Sequence, residues 1–421
     1  MSLPAFRAAD PARTYYAFQG GWSFLSALAF TLNMVYFVKD VGLSPLQMVL
    51  VGTTLEVACF AFEIPTGIVA DLYSRRLSVV IGFTLIGAGL LLQGLVPAFV
   101  AVLAAQVLWG MGYTFTSGAD QAWITDEVGE DRAGRVFVRA QQVELAATIA
   151  GTVAAGLLGL TALSLPMKVG GAGTILLALA LAVFMREDNF HPTPRGERET
   201  FKNLTNTFKH GLAVARSRPV IRNLALVSLI SGLSSEAFDR LWSVKILDDF
   251  SFPEVFGTSD PAVWFTVFAL IGTLLSLATS LVVNKVSPER MTALHPNGLL
   301  ALLSLFQVAG VIGFALADHL WLGLVAMWVG GVAATIAYPV ESAWLNRNVE
   351  SRSRATVISM VSQSNAIGQV IGGPPLGALA GRTSIRTALV VSGLILTPIP
   401  ALYLRLRPAK EPVEQPTELK A

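Results

Sequence analysis

Four ionisable residues stand where the surrounding sequence is apolar. They are Glu56 in "VGTTLEVACF", and Glu236, Asp239 and Arg240 in "SSEAFDRLW". A charge inside such a run is costly and marks either a functional group or a structural pair. A carboxyl group in apolar surroundings can take up and release a proton near neutral pH. Glu236 and Arg240 are four apart with the acid first, which puts them on one helical face and suits an ion pair. Asp239 lies three residues from Glu236, beside that face. Glu56 has no opposite charge within its own run. Glu56, Glu236 and Asp239 are the candidates for carrying a proton, with a purely structural pair the competing reading of Glu236 and Arg240. Asp120, Glu144 and Glu341 lie nearer the ends of their runs, where a gate or latch suits them better. Glu63 reads as structural.

Positioning such groups requires elements that tolerate hydrocarbon. The chain has 421 residues, 53% hydrophobic and 14% charged, against roughly 25% charged in a soluble domain. Its mean hydropathy is +0.60. The runs are continuous rather than alternating and about 20 residues long, which selects membrane-spanning helices. Twelve are predicted, near 14–38, 45–69, 77–97, 99–124, 136–160, 165–185, 221–246, 261–284, 292–316, 320–345, 356–380 and 385–405. Lys and Arg collect in alternate turns: Arg75 and Arg76, Arg132 and Arg135, Lys285 and Arg290, then Arg347, Arg352 and Arg354. By the positive-inside rule these turns and both termini are cytoplasmic, in a multi-pass cell-membrane protein. Arg382 and Arg386 break the pattern in the last outer turn. The expected organisation is a six-helix bundle over 1–185, a cytoplasmic linker over 186–220 and a second six-helix bundle over 221–421. In the linker, Phe201, Leu204, Phe208, Leu212 and Val214 form a rough stripe suited to a helix on the membrane surface.

The net charge of +2, in short clusters, excludes a nucleic-acid partner. The single cysteine, Cys59, and four scattered histidines give neither a disulfide framework nor a metal site. No cleavable leader is expected at the start. No phosphate-cradling Gly-rich loop ending in Lys-Ser or Lys-Thr is present, so ATP hydrolysis is not the energy source and no cofactor is expected.

Residues 119–128, "ADQAWITDEV", match 340–349, "VESAWLNRNV": Asp120 with Glu341, Ala122 with Ala343, Trp123 with Trp344, and Val128 with Val349. The first copy ends span four and the second ends span ten. A repeat displaced by six spans means two like-oriented halves with the substrate between them near the midplane.

The turn between spans two and three carries Gly67, Asp71, Arg75 and Arg76 in the order Gly-x-x-x-Asp-x-x-x-Arg-Arg. With twelve spans split six and six, the chain resembles the major facilitator superfamily, whose motif this turn matches in part. Leu72 and Ser74 replace an expected base and an expected glycine. The resemblance implies alternating access, a cavity lined by spans one, four, seven and ten, and a cytoplasmic latch. In that latch Asp71 would face the start of span eleven, and Arg75 would reach Asp126. The cavity candidates are Trp22, Phe30, Asn33, Tyr36, Trp109, Tyr113, Phe238, Arg240, Trp242, Trp328 and Tyr338. Small residues and a Pro pair in "GQVIGGPPLGALAG" let span eleven approach its neighbours closely. Span five lacks the Gly-Pro motif of many exporters in this family. The expected function is proton-coupled efflux of small amphipathic or drug-like compounds by a monomer, as in the drug/proton antiporter (multidrug efflux) branch. A proton-coupled metabolite symporter and a non-transporting receptor are the alternatives; an enzyme is not expected.

Overall fold

The computed structural model describes residues 10–190, 192, 219–254, 257–285, 296–348 and 351–405. The described residues are helical almost throughout, in twelve passes. These are α1 (Pro11–Lys39), α2 (Pro45–Leu72), α3 (Arg75–Leu95), α4 (Phe99–Val128), α5 (Glu130–Gly159), α6 (Leu165–Phe184), α7 (Pro219–Asp249), α8 (Pro261–Lys285), α9 (Pro296–Leu316), α10 (Leu320–Asn348), α11 (Ser351–Arg382) and α12 (Ile385–Leu404). Ten of them are long and apolar enough to cross a membrane. The other two, α7 and α11, are the longest, at 31 and 32 residues, and carry the most polar groups. The stripe at Phe201–Val214 and both chain ends lie outside the described residues.

Local signals explain the boundaries. Ser44 and Gln47 close a capping box at the start of α2, and Ser74 caps α3. Three passes are interrupted: α1 at Thr31–Leu32, α4 at Ser117–Gly118, and α12 at Leu396–Pro398. In α4 the break needs Gly118, whose φ is +75°. Span eleven stays one helix through Pro374 and Pro375.

Polarity in α7 and α11 is explained by their mutual packing. A Cβ on Gly232, Gly368 or Gly372 would lie within 2.1–2.3 Å of a backbone oxygen of the other helix. The backbones therefore nearly touch, as small residues allow in membrane bundles. Ser228 Oγ donates to the Val361 carbonyl at 2.7 Å, and Asn365 Nδ2 donates to the Ser228 carbonyl at 3.2 Å. These bonds satisfy groups that could not face lipid.

The two ends of the molecule differ. One continuous apolar core joins residues from both sets of six helices: Tyr36, Phe37 and Val49 from the first set meet Leu241, Val244 and Phe265 from the second. All of these sit at the C-terminal ends of odd-numbered helices or the N-terminal ends of even-numbered ones. At the opposite end the cores are separate. One holds Tyr15, Phe83, Trp123 and Met185, and the other Leu224, Leu300, Trp344 and Tyr403. The sets touch through α2 on α11 and α7, α5 on α8, and the last part of α1 on α7. The helices are thus joined at the end with acidic turns and parted at the end carrying Arg75, Arg76, Arg132 and Arg135.

Candidate transport crevice

The parted ends leave a crevice whose floor is aromatic. Phe30 ends the first segment of α1 and stacks on Trp109 of α4 at 4.7 Å. It faces Trp242 of α7, Phe265 and Phe268 of α8, and Trp328 of α10 across a cavity of about 370 Å³. Four of the aromatic candidates, Phe30, Trp109, Trp242 and Trp328, therefore converge. The others do not. Trp22 packs edge-on against Phe83 of α3 at 5.0 Å, inside the first helix set. Tyr36 is fully buried and its hydroxyl donates to the Gln93 carbonyl at 2.7 Å. Asn33 is buried beside it in the sequence of the same short segment, and Phe238 packs on Phe314 at 5.6 Å. Asn33 and Tyr36 are thus buried in the packing, while Trp22 and Phe238 stay partly exposed beside their aromatic neighbours. Tyr113 and Tyr338 are 53% and 78% exposed.

The charged candidates gather at the seam where α2, α7 and α11 meet. Arg240 Nε donates to Glu236 Oε1 at 3.0 Å, and the Glu236 side chain is 3% exposed. Facing this pair is Gly52 of α2, where a Cβ would stand 1.6 Å from Glu236 Oε1. On the other side Gly373 of α11 leaves room for the Glu236 Cγ and for Val49. Glu56, one turn from Gly52, lies within electrostatic reach of both members of the pair. Asp239 also reaches Arg240 and Glu236. Its side chain is exposed to solvent. Three carboxyls from two helix sets thus share one guanidinium. Sequence reasoning found the carboxyls and the small residues of α11, Gly373 among them, but missed Gly52, whose only signal is a small residue one turn from Glu56.

At the parted end, Arg75 forms an ion pair with Asp126 of α4 and lies 5.8 Å from the Phe190 ring centroid. Both partners of the pair belong to the first helix set. Arg76 donates to the Ala182 carbonyl. Glu187, absent from the sequence candidates, accepts from Ser74 Oγ at 2.5 Å and from the Arg75 backbone N–H at 2.6 Å. It caps the start of α3, where helix dipole and free N–H groups favour an anion. Asp71 is exposed in the last turn of α2, and Gly67 has open space around its Cα. The side chains at the start of α11 lie outside the described residues. The repeat-related acids are each hydrogen-bonded: Asp120 accepts from Gln19 Nε2 at 3.1 Å, and Glu341 accepts from the Tyr403 hydroxyl at 3.1 Å. Glu144 stands within electrostatic reach of Asp120. At the joined end Arg386 pairs with Asp318, which neutralises one of the two arginines that broke the charge pattern.

Similarity to known proteins agrees with this architecture. The "Uncharacterized MFS-type transporter YxaM" of Bacillus subtilis (strain 168) is 22% identical over 364 residues, 86% of this chain and 88% of that protein. The crystal structure of the nucleoside transporter NupG superposes with a TM-score of 0.71 at 14% identity, covering 94% of this chain and 98% of the other. A bacterial homolog of the human lysosomal transporter Spinster, in an inward-facing and unoccupied conformation, superposes with a TM-score of 0.67 at 16% identity, covering 96% and 97%. At these identities the structures share the fold. The profile of the Major Facilitator Superfamily matches residues 21–312 and 263–420, which together span nearly the whole chain, and the protein belongs to that superfamily of membrane transporters.

Proposed function

We propose that this chain is a proton-coupled exporter of small amphipathic compounds that works by alternating access. The observation that carries the reading is the seam of Gly52, Glu56, Glu236 and Arg240, because it joins the two helix sets at one end and holds their shared charge. If the arginine-rich end is cytoplasmic, the conformation described above faces inward. Substrate then enters from the cytoplasm and rests on the aromatic floor at Phe30, Trp242 and Trp328.

Coupling follows from charge. Glu56, Glu236 and Asp239 with Arg240 carry a formal charge of −2 when all are ionised. Closing that cluster into low dielectric is costly, and uptake of a proton by one carboxyl relieves the repulsion. When α2 parts from α7, Glu56 loses Arg240 and the cluster meets water from the other side. A proton bound from one side is released on the other. The Arg75–Asp126 pair and the Glu187 cap hold the α2–α3 turn in shape, and Asp71 is left to engage the start of α11 when the parted end closes.

The test uses proteoliposomes with a trapped pH dye and a panel of amphipathic compounds: ethidium, tetraphenylphosphonium and a neutral aromatic. For a coupled exporter, downhill substrate flux drives protons the opposite way, and Glu56→Gln abolishes the proton movement. Protons moving with the substrate establish the symporter instead. Coupling unchanged in both Glu56→Gln and Asp239→Asn sinks the proton-site assignment. Binding of panel compounds with no flux establishes the receptor.

A further inference from the structure

A second cavity, of about 590 Å³, lies within the second helix set among α7, α9, α10, α11 and α12. On α10, Trp328, Gly331, Thr335, Tyr338 and Ser342 follow at steps of three and four, so they share one face. The first two line the aromatic cavity and the last two line this cleft. Trp328 and Tyr338 are ten residues apart, or ~15 Å along a helix. The cleft is therefore centred nearer the parted end than the aromatic cavity, and the two linings approach each other at Val332 and Ala334.

Its wall includes Ser228, Gln307, Tyr338, Glu341, Asn365 and Tyr403. Several donors are committed to the protein. Ser228 Oγ gives its proton to the Val361 carbonyl, Asn365 Nδ2 donates to the Ser228 carbonyl, and Asn365 Oδ1 accepts from Gln369 at 2.6 Å. Glu341 Oε2 accepts from the neutral Tyr403 hydroxyl. Among the described residues no cationic side chain pairs with Glu341. A half-buried carboxylate without a counter-cation repels anions and is strengthened by any cation that reaches it. The exposed ring of Tyr338 offers a face for the same cation.

We propose that this cleft is an entry site selecting organic cations: an ammonium head held by Glu341, with an apolar ring laid against Tyr338. The site rests on the transport reading for its place on the route, and it is independent of proton coupling.

The test is equilibrium binding to the full chain in nanodiscs, with three probes that share a ring and differ in head charge: 2-(1-naphthyl)ethylamine, 2-(1-naphthyl)ethanol and 1-naphthylacetate. Wild type is expected to bind the amine about tenfold tighter than the alcohol, with the acetate weakest, since a desolvated charge pair contributes on the order of a tenfold factor. Glu341→Gln brings amine and alcohol within about twofold while the alcohol still binds, which shows that the variant is folded. Tyr403→Phe keeps the carboxylate, removes its neutral donor and retains the preference. Asp318→Asn leaves the preference unchanged because Asp318 lies in a turn at the joined end, outside both cavities. Equal binding of amine and alcohol by wild type overturns the proposal without recourse to any variant, as does a preference that survives Glu341→Gln. Amine selectivity with no coupled proton flux would leave this site standing and remove the exporter reading.

Discussion

Adding one methyl group at Gly52 tests whether the α2–α7 seam decides which end is open. The new Cβ would fall 1.6 Å from Glu236 Oε1, 2.5 Å from Arg240 Nε and 2.6 Å from Arg240 Nη2. Cβ contacts below 3.0 Å essentially do not occur, so the carboxylate must retreat by at least 1.4 Å (3.0 minus 1.6). It has little space to do so. The Glu236 side chain is 3% exposed, and a retreat would disturb its 3.0 Å bond to Arg240 Nε. Overpacking of this kind costs ~1–3 kcal/mol. The cost falls only on the state in which α2 and α7 touch. Gly52→Ala should therefore shift the conformational equilibrium away from that state by roughly 5- to 150-fold. The assay is a spin-label distance measurement between Val138 of α5 and Ile358 of α11, which are 61% and 45% exposed at the parted end, with Cys59 replaced by Ser. The distribution should move to shorter distances. Gly232→Ala is the control. Its Cβ would meet the Asn365 carbonyl at 2.1 Å inside one helix set, so it should lower the melting temperature without moving the distribution. An unchanged distance distribution in folded Gly52→Ala refutes the idea that this contact governs the equilibrium, and so does an equal shift in the control.

Other consequences follow from the same geometry. Glu187→Ala removes the anion from the start of α3 and should cost about 2 kcal/mol, read as a lower melting temperature, with Glu187→Gln recovering part of it. Phe30→Ala removes a ring that stacks on Trp109 and walls the aromatic cavity. It should weaken tetraphenylphosphonium binding roughly 2- to 12-fold by loss of aromatic contact, as measured by equilibrium dialysis. In the turns at the joined end the Arg386 guanidinium holds the Asp318 carboxyl below its ordinary range, first by hydrogen bonding and then by its charge. A depressed carboxylate contributes above its unfolded pKa and loses that contribution as pH falls through the folded value. The small melting-temperature difference between wild type and Asp318→Asn should therefore exist at neutral pH and vanish in acid.

Much of the fold was legible because the bilayer imposes a length and a composition on each pass. Continuous apolar runs gave twelve helices, and the lysines and arginines gave the alternation of turns. The Glu236–Arg240 bond was legible because it is local: helical spacing alone brings residues four apart together. The Arg75–Asp126 pair came through the resemblance of one turn to a family motif. The crevice itself was only partly legible. Asn33 and Tyr36 sit on an expected helix but turn into a packed interior, and Trp22 and Phe238 pack on rings away from the aromatic cavity. A membrane helix is apolar on every side, so its sequence carries no stripe to say which face meets lipid, neighbour or water. Phe30, Trp109, Trp242 and Trp328 could be separated from the buried aromatics only by their neighbours. Glu187 was hidden because it follows the last helix of its set, and folding brings it back to the start of α3.

By itself the sequence determined that the chain crosses a membrane as helices, which turns share a side, and which carboxyls stand in oil. Those properties depend on solvent and on contacts within a turn or two of chain. Only the tertiary structure decided that one end is joined and the other parted, that Gly52 faces the Glu236–Arg240 pair, and that Glu341 opens on a cleft. Each of these depends on which backbones can approach closely. That is settled by small residues meeting across helices far apart in the chain.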